Sequence, residues 1–187
     1  MRVFFLLIVI SLVCIGLQFD PQASFVNWQR YLILDGQWWR ILTGNFTHTN
    51  FPHLAMNLGG LWMIGLIFKP SDKALLFCLF MTSAAIGMLN FFSSMNSYVG
   101  LSGTLHGLFV YFALQEALNG RKSSWLLVGG VCVKVAWELA MGASQSTQDL
   151  INAQVAVDAH LYGTLSGIVL ATALYVYQNK ARLQRAS

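Results

Sequence analysis

Six apolar runs, each near the length of a membrane-crossing helix, alternate with polar breaks along the chain. A bilayer core takes about 20 apolar residues as helix, within a range of roughly 17–25. The runs fall near residues 3–19, 52–68, 74–92, 102–118, 125–143 and 159–178. Backbone groups in lipid must be satisfied within the protein, so such runs read as helices, whereas barrel strands would be shorter and would alternate. Lys69-Pro70-Ser71-Asp72-Lys73 separates the second run from the third, and Asn119-Gly120-Arg121-Lys122-Ser123-Ser124 the fourth from the fifth. Ser93 to Gly100 is polar and ends in glycine, and Ser144 to Asp158 reads as a polar loop before the sixth run. The pattern predicts an all-α membrane protein, with residues 1–187 forming a single domain. No repeat or low-complexity tract interrupts it.

Composition agrees and charge orients the bundle. The chain of 187 residues is 56% hydrophobic and 10% charged, whereas soluble domains carry about 25% charged residues. That argues against a soluble globule, a disordered chain and a nucleic-acid binder. Six spans put Arg2, Lys69, Lys73, Arg121, Lys122, Lys180, Arg182 and Arg185 on one side, against Arg30 and Arg40 on the other. This bias places both termini in the cytoplasm. Spans two, four and six then begin at the outer face. The first run is long for a signal-peptide core and no A-x-A site follows it, so it reads as a retained span. Residues 20–51 form a long external segment rich in aromatics, including Trp28, Tyr31, Trp38 and Trp39, which suit the membrane–water interface. Cys14, Cys78 and Cys132 lie within apolar runs without ligand spacing and read as buried hydrophobes.

Polar side chains inside membrane helices are costly and mark function. His53 and Asn57 open span two, Ser102 and His106 span four, and His160 span six. By topology they share one depth near the outer surface. His53/Asn57 and Ser102/His106 are each spaced i, i+4 and so share a helix face. Gly103/Gly107 and Gly163/Gly167 are small-xxx-small pairs that let helices four and six approach closely. Such packing would bring Ser102 within hydrogen-bond reach of His160. A serine needs an adjacent base to become a nucleophile, and histidine is the usual base. His53, Asn57 and the Ser102 backbone N–H could then bind an oxyanion. The competing readings are a serine bonded back to its own helix, a satisfied buried histidine, and polar groups that merely brace helices.

These residues resemble a known family. Gly100-Leu101-Ser102-Gly103 looks like the G-x-S-G motif of rhomboid intramembrane serine proteases. His160 with Gly163 and Gly167 is similar to that family's sixth helix, and His53-x-x-x-Asn57 to its second. Trp39-Arg40 resembles the W-R pair of its first external loop, and His48 a recurrent position there, read as anchoring the loop to span two. The resemblance covers nearly the whole chain. It implies a six-helix rhomboid-like bundle with a Ser102–His160 dyad, an oxyanion site at Asn57 and His53, and transmembrane protein substrates cut near the outer face. It implies no cofactor. Residues 35–44, the Asn50-Phe51-Pro52-His53 junction and residues 103–107 look more narrowly like the rhombosortase branch. That branch removes C-terminal GlyGly-CTERM tails, each a Gly-Gly motif, an apolar helix and a basic end, from exported bacterial proteins. The implied location is a bacterial inner membrane, with the active site facing the periplasm or the outer leaflet. Where many rhomboids carry a tyrosine that stacks on the base, this chain has His106, expected to support His160.

Several residues stand outside that pattern. Lys134 and Glu138 are i, i+4 within span five. They read either as a neutralising ion pair or as a contact that shapes substrate access or binds the substrate's tail. Glu116, near the cytoplasmic end of span four, is expected to snorkel. Asp158 is two residues from His160 and so does not face it on a helix, which disfavours a triad through Asp158. The histidines lack zinc-protease spacing, and no metal is expected. The rivals to a protease are a non-catalytic rhomboid-like helix binder and a small transporter.

Overall fold

The computed structural model describes residues 2–186, with side chains for 3–184. Arg2 and Arg185, used above in the charge count, therefore have side chains outside the described residues. Among the described residues the fold is mostly helical. Helix α1 (Arg2–Gly16) leads into an external segment of α2 (Gln22–Val26), strand β1 (Trp28–Gln29), α3 (Arg30–Leu34) and α4 (Arg40–Thr43), closed by a 3-10 turn at Gly44–Phe46. Helices α5 (Phe51–Phe68) and α6 (Asp72–Leu89) follow, then strand β2 (Ser97–Tyr98), α7 (Ser102–Leu118), α8 (Ser124–Met141), α9 (Gln145–Ile151) and α10 (Val157–Ala186).

The ends of these helices are written locally. The Asn50 side chain caps α5 by accepting the His53 N–H at 2.8 Å, with Pro52 in the first turn, where a missing N–H costs nothing. Lys69 ends α5 in the left-handed region and Pro70 follows. Ser71 caps α6. Residues 144–158, expected to be a loop, contain α9, because Ser144 caps Thr147 and starts a turn. The first helix stops at Gly16 rather than 19, and the last continues to Ala186 rather than ending at 178.

Among the described residues, four helical segments are long and apolar enough to cross a membrane: Phe51–Phe68, Asp72–Phe92, Ser124–Met141 and Val157–Gln184. Two expected spans are less apolar or shorter. Val3–Gly16 is a shorter apolar helix. Helix α7 carries Ser102, Thr104, His106, Gln115 and Glu116 within 17 residues. Its place explains that composition: α5, α6, α8 and α10 all pack against it, and Leu108, Val110 and Ala113 are fully buried. A central helix is solvated by protein and does not need an apolar surface for lipid. Glu116 at its far end does not extend alone; it pairs with Arg121 at 2.9 Å and accepts from Ser124 at 2.6 Å.

The external segment is tied to the bundle by polar anchors. Antiparallel β1 and β2 pair Trp28 with Tyr98 and Gln29 with Ser97. Trp28 is fully buried and donates to the Gly87 carbonyl at 2.9 Å. Arg30 donates to the carbonyls of Asn90, Phe91, Ser93 and Met95, holding the turn after α6.

Candidate active site

At its glycines the seam between α7 and α10 brings backbone against backbone. A Cβ at Gly163 would strike the Gly103 carbonyl, one at Gly167 the Gly107 carbonyl, and one at Gly103 would sit 2.7 Å from the Ala159 carbonyl. Only glycine permits this backbone approach, as the two glycine pairs predicted. The approach brings together residues 58 apart in sequence: Ser102 Oγ lies 2.9 Å from His160 Nε2.

His160 is held on three sides. Its Nδ1 is 2.8 Å from Glu138 Oε2 on α8. The His106 ring stacks on it with centroids 4.1 Å apart and planes at 22°. His106 is itself fixed by a 2.7 Å bond between its Nδ1 and the Ser102 carbonyl. Glu138 uses its other oxygen for Lys134, at 2.7 Å. Lys134 and Glu138 thus form an ion pair, but Glu138 also reaches the histidine, a contact that their i, i+4 spacing does not indicate. Asp158 is not the partner of Nδ1. The donor atoms of His106, Glu138 and His160 lie within 4.8 Å of one another. Each is already engaged, and the adjacent Lys134 ammonium opposes a cation, so the cluster fits a hydrogen-bond relay better than a metal.

Two openings meet at Ser102. A cavity of about 580 Å³ is lined by His53, Asn57, Tyr98, Ser102, Asp158 and His160. An apolar cleft of about 700 Å³ runs between α5 (Met56, Gly60, Ile64) and α8 (Leu127, Gly130, Lys134), and Asn57 and Ser102 line it too. Asn57 spends one N–H on the His53 carbonyl at 3.1 Å, and an amide has a second to give. Thr49 donates its hydroxyl proton to the Ile151 carbonyl at 2.7 Å, and its hydroxyl and backbone N–H both face His53 Nδ1, at 3.1 and 3.5 Å. Ser102 opens α7 and its N–H has no partner within the helix.

The rhomboid domain family matches residues 35–177 of this chain. The chain belongs to the rhomboid family. The rhomboid protease GluP of Bacillus subtilis (strain 168) is 30% identical over 158 residues, covering 83% of this chain and 30% of GluP. The chain thus spans about a third of that relative's length. A second relative, YdcA of the same strain, is 25% identical over 165 residues, covering 81% of this chain and 77% of its own.

Other expected rhomboid positions hold the loops. Gly100 has φ 121°, and a Cβ there would meet His53 Cε1 at 2.8 Å. Arg40 is buried and donates to the Ser24 and Asn27 carbonyls at 3.0 and 2.7 Å and to Gln37 Oε1 at 2.8 Å. Trp39 stacks on Phe25 and donates to its carbonyl at 3.1 Å. His48 does more than join its loop to α5. Its ring meets His53 edge-on at 5.0 Å, its Nε2 accepts the Leu101 N–H at 3.4 Å, and its carbonyl accepts from Gln18. Burial, and secondarily the charge of His53, push His48 down to about 3, so it stays neutral and keeps a lone pair for Leu101.

A buried network behind the serine loop had no sequence signal. Asn45 is fully buried and donates to the Leu42 and Ser83 carbonyls at 3.0 and 3.1 Å. Thr104 donates to Asn45 Oδ1 at 3.2 Å and shares a 2.9 Å contact with Ser83. Tyr98 donates to the Gly100 carbonyl at 2.6 Å. Such residues look like ordinary loop and helix polars in sequence, and only the fold gives them partners.

Proposed function

We propose that this chain is a rhomboid-type intramembrane serine endopeptidase with Ser102 as nucleophile and His160 as base. The 2.9 Å contact between Ser102 Oγ and His160 Nε2, at the meeting of a polar cavity and an apolar cleft, carries this reading. Six spans in one domain, residues 1–187, with both termini cytoplasmic, put that cavity at the periplasmic side of a bacterial inner membrane. A substrate helix would lie in the apolar cleft and unwind into the cavity, where water has access. His160 takes the Ser102 proton as Oγ attacks the scissile carbonyl carbon. Asn57 and the Ser102 N–H, with His53 behind them, face the oxyanion. His160 then protonates the leaving amine and the C–N bond breaks. Water, or an amine acceptor, releases the acyl group from Ser102. No cofactor enters these steps.

The substrate class we propose is the GlyGly-CTERM tail: Gly-Gly, an apolar helix and a basic end. Two glycines suit a site reached by unwinding, because they adopt extended and left-handed backbone alike. The test is co-expression with an exported reporter carrying such a tail, with Ser102→Ala as control. Ser102-dependent shortening of the reporter is expected, abolished in the variant at unchanged expression. No shortening, with Ser102 labelled by a fluorophosphonate, keeps the protease and removes the tail. Shortening that survives Ser102→Ala overturns the nucleophile. Neither shortening nor labelling leaves a helix-binding protein.

A further inference from the structure

A histidine can act as a base toward serine only if the nitrogen facing the serine is unprotonated, and the bond made by the other nitrogen decides this. At His160 the facing nitrogen is Nε2, and the other bond goes to Glu138. We propose that Glu138 is a positioning residue for His160: its Oε2 accepts the Nδ1–H, fixing the ring with a bare Nε2 toward Ser102, while Lys134 holds Oε1. The inference rests on the reading of Ser102 and His160 as nucleophile and base.

Three observations carry it. First, the carboxylate is divided between two jobs. One oxygen is spent on Lys134 at 2.7 Å and the other on His160 at 2.8 Å. A group present only to neutralise Lys134 would have no need of the second. Second, the helix itself disfavours this placement. Glu138 lies in the last turn of α8, at the negative end of the dipole, and follows Lys134 in the less favourable order for an i, i+4 pair. The reverse order would neutralise the charges better but would move the carboxylate away from His160. Third, the surroundings suit a persistent bond. The side chains of His160 and Glu138 are 5% and 15% exposed, while that of Lys134 is 49% exposed. The Lys134 side chain lines the open cleft while the relay behind it is shielded. His106 stacked on the His160 face prevents the ring from tilting out of line.

The proton count is simple. Ser102 gives its proton to Nε2 as Oγ bonds to the carbonyl carbon. The ring then carries protons on both nitrogens, and Glu138 stays ionised beside the new positive charge. Nε2 delivers its proton to the leaving amine, which restores the starting tautomer.

The experiment uses the full chain in detergent and needs no known substrate. A fluorophosphonate probe reacts as Ser102 Oγ attacks phosphorus and fluoride leaves, and kinact and KI are measured separately. For Glu138→Gln we expect kinact to fall by about 100-fold, within the range for losing an oriented acid–base group, with KI little changed. An amide can present N–H to Nδ1 and so select the wrong tautomer. Glu138→Asp should recover part of the loss. The decisive variant is Lys134→Met with Glu138→Gln, which leaves no unpaired charge in the helix. It should react as slowly as Glu138→Gln alone. Recovery of wild-type kinact in the double variant would mean that Glu138 only neutralises Lys134, and the inference would fall. The same conclusion follows if Glu138→Gln reacts at the wild-type rate. If the single variant does not fold, the double variant decides alone. Labelling that persists in Ser102→Ala would instead sink the underlying reading, whatever the Glu138 variants do.

Discussion

The two sides of His160 are built in opposite ways. On one side, α7 and α10 meet backbone to backbone through Gly103, Gly107, Gly163 and Gly167, with no room for a methyl group. On the other, α8 touches the bundle lightly. Of its residues Ser124, Val131 and Val135 are buried, while Leu126, Val133, Trp137 and Met141 face outward, and the cleft separates it from α5. A Cβ at Gly129 or Gly130 of α8 would meet nothing within 4 Å. The tight seam fixes the Ser102–His160 distance, where tenths of an ångström decide whether a proton can move. The loose side leaves room for a helix to lie in the cleft. Glu138 joins them, since it stands on the loose helix and holds the ring carried by the tight one.

The sharpest way to break this comparison is to put a side chain into the seam. Gly163→Val would drive a branched carbon into the Gly103 carbonyl. The helices would have to part by ångströms, and overpacking of this kind costs about 1–3 kcal/mol or more. Fluorophosphonate labelling of Ser102 should be lost and the thermal midpoint should fall. Labelling at the wild-type rate would show that the seam does not set the Ser102–His160 geometry.

What the sequence disclosed follows the same division. The seam was legible because its code is local: glycines four apart on two helices, and a serine and a histidine at the same depth. The loose side was half legible. Lys134 and Glu138 stood out as charges in an apolar run, yet their i, i+4 spacing spoke only of each other. That Glu138 also faces His160 depends on how α8 is rotated against α10, and apolar residues all round a helix do not encode rotation. Residues 144–158 hid α9 because it is short and polar, and its evidence was a single capping serine. The Asn45, Thr104 and Tyr98 network was illegible because its members come from three separate segments with no shared period.

A milder test reaches the tight side through its loops. His48 stands behind Leu101, the residue before Ser102. Burial takes it from an ordinary 6.5 down to about 3. Between those values the unfolded chain binds a proton there and the folded chain does not. Stability therefore rises with pH through that window and is full above it. The wild-type thermal midpoint in detergent should drop as pH falls from about 7 to about 4.5. His48→Gln can still accept the Leu101 N–H but does not titrate, so its midpoint should drop less over the same interval. Parallel losses in the two proteins would assign the acid sensitivity elsewhere.

The smallest effect is expected where the protein is loosest. Gly130→Leu adds a side chain into the apolar cleft, in open space rather than against backbone. Folding should hardly notice; leucine also favours helix over glycine by a few tenths of a kcal/mol or more. What changes is the room for a substrate helix. If the cleft receives that helix, KM for a transmembrane reporter should rise by roughly threefold with kcat nearly intact, the signature of lost uniform binding. The small fluorophosphonate can reach Ser102 through the polar cavity, so its reaction should suffer less than cleavage. Equal losses for probe and reporter would mean that the leucine disturbs Ser102 itself. The two sides of His160 would then be mechanically one, and the looseness of α8 would belong to its surface alone.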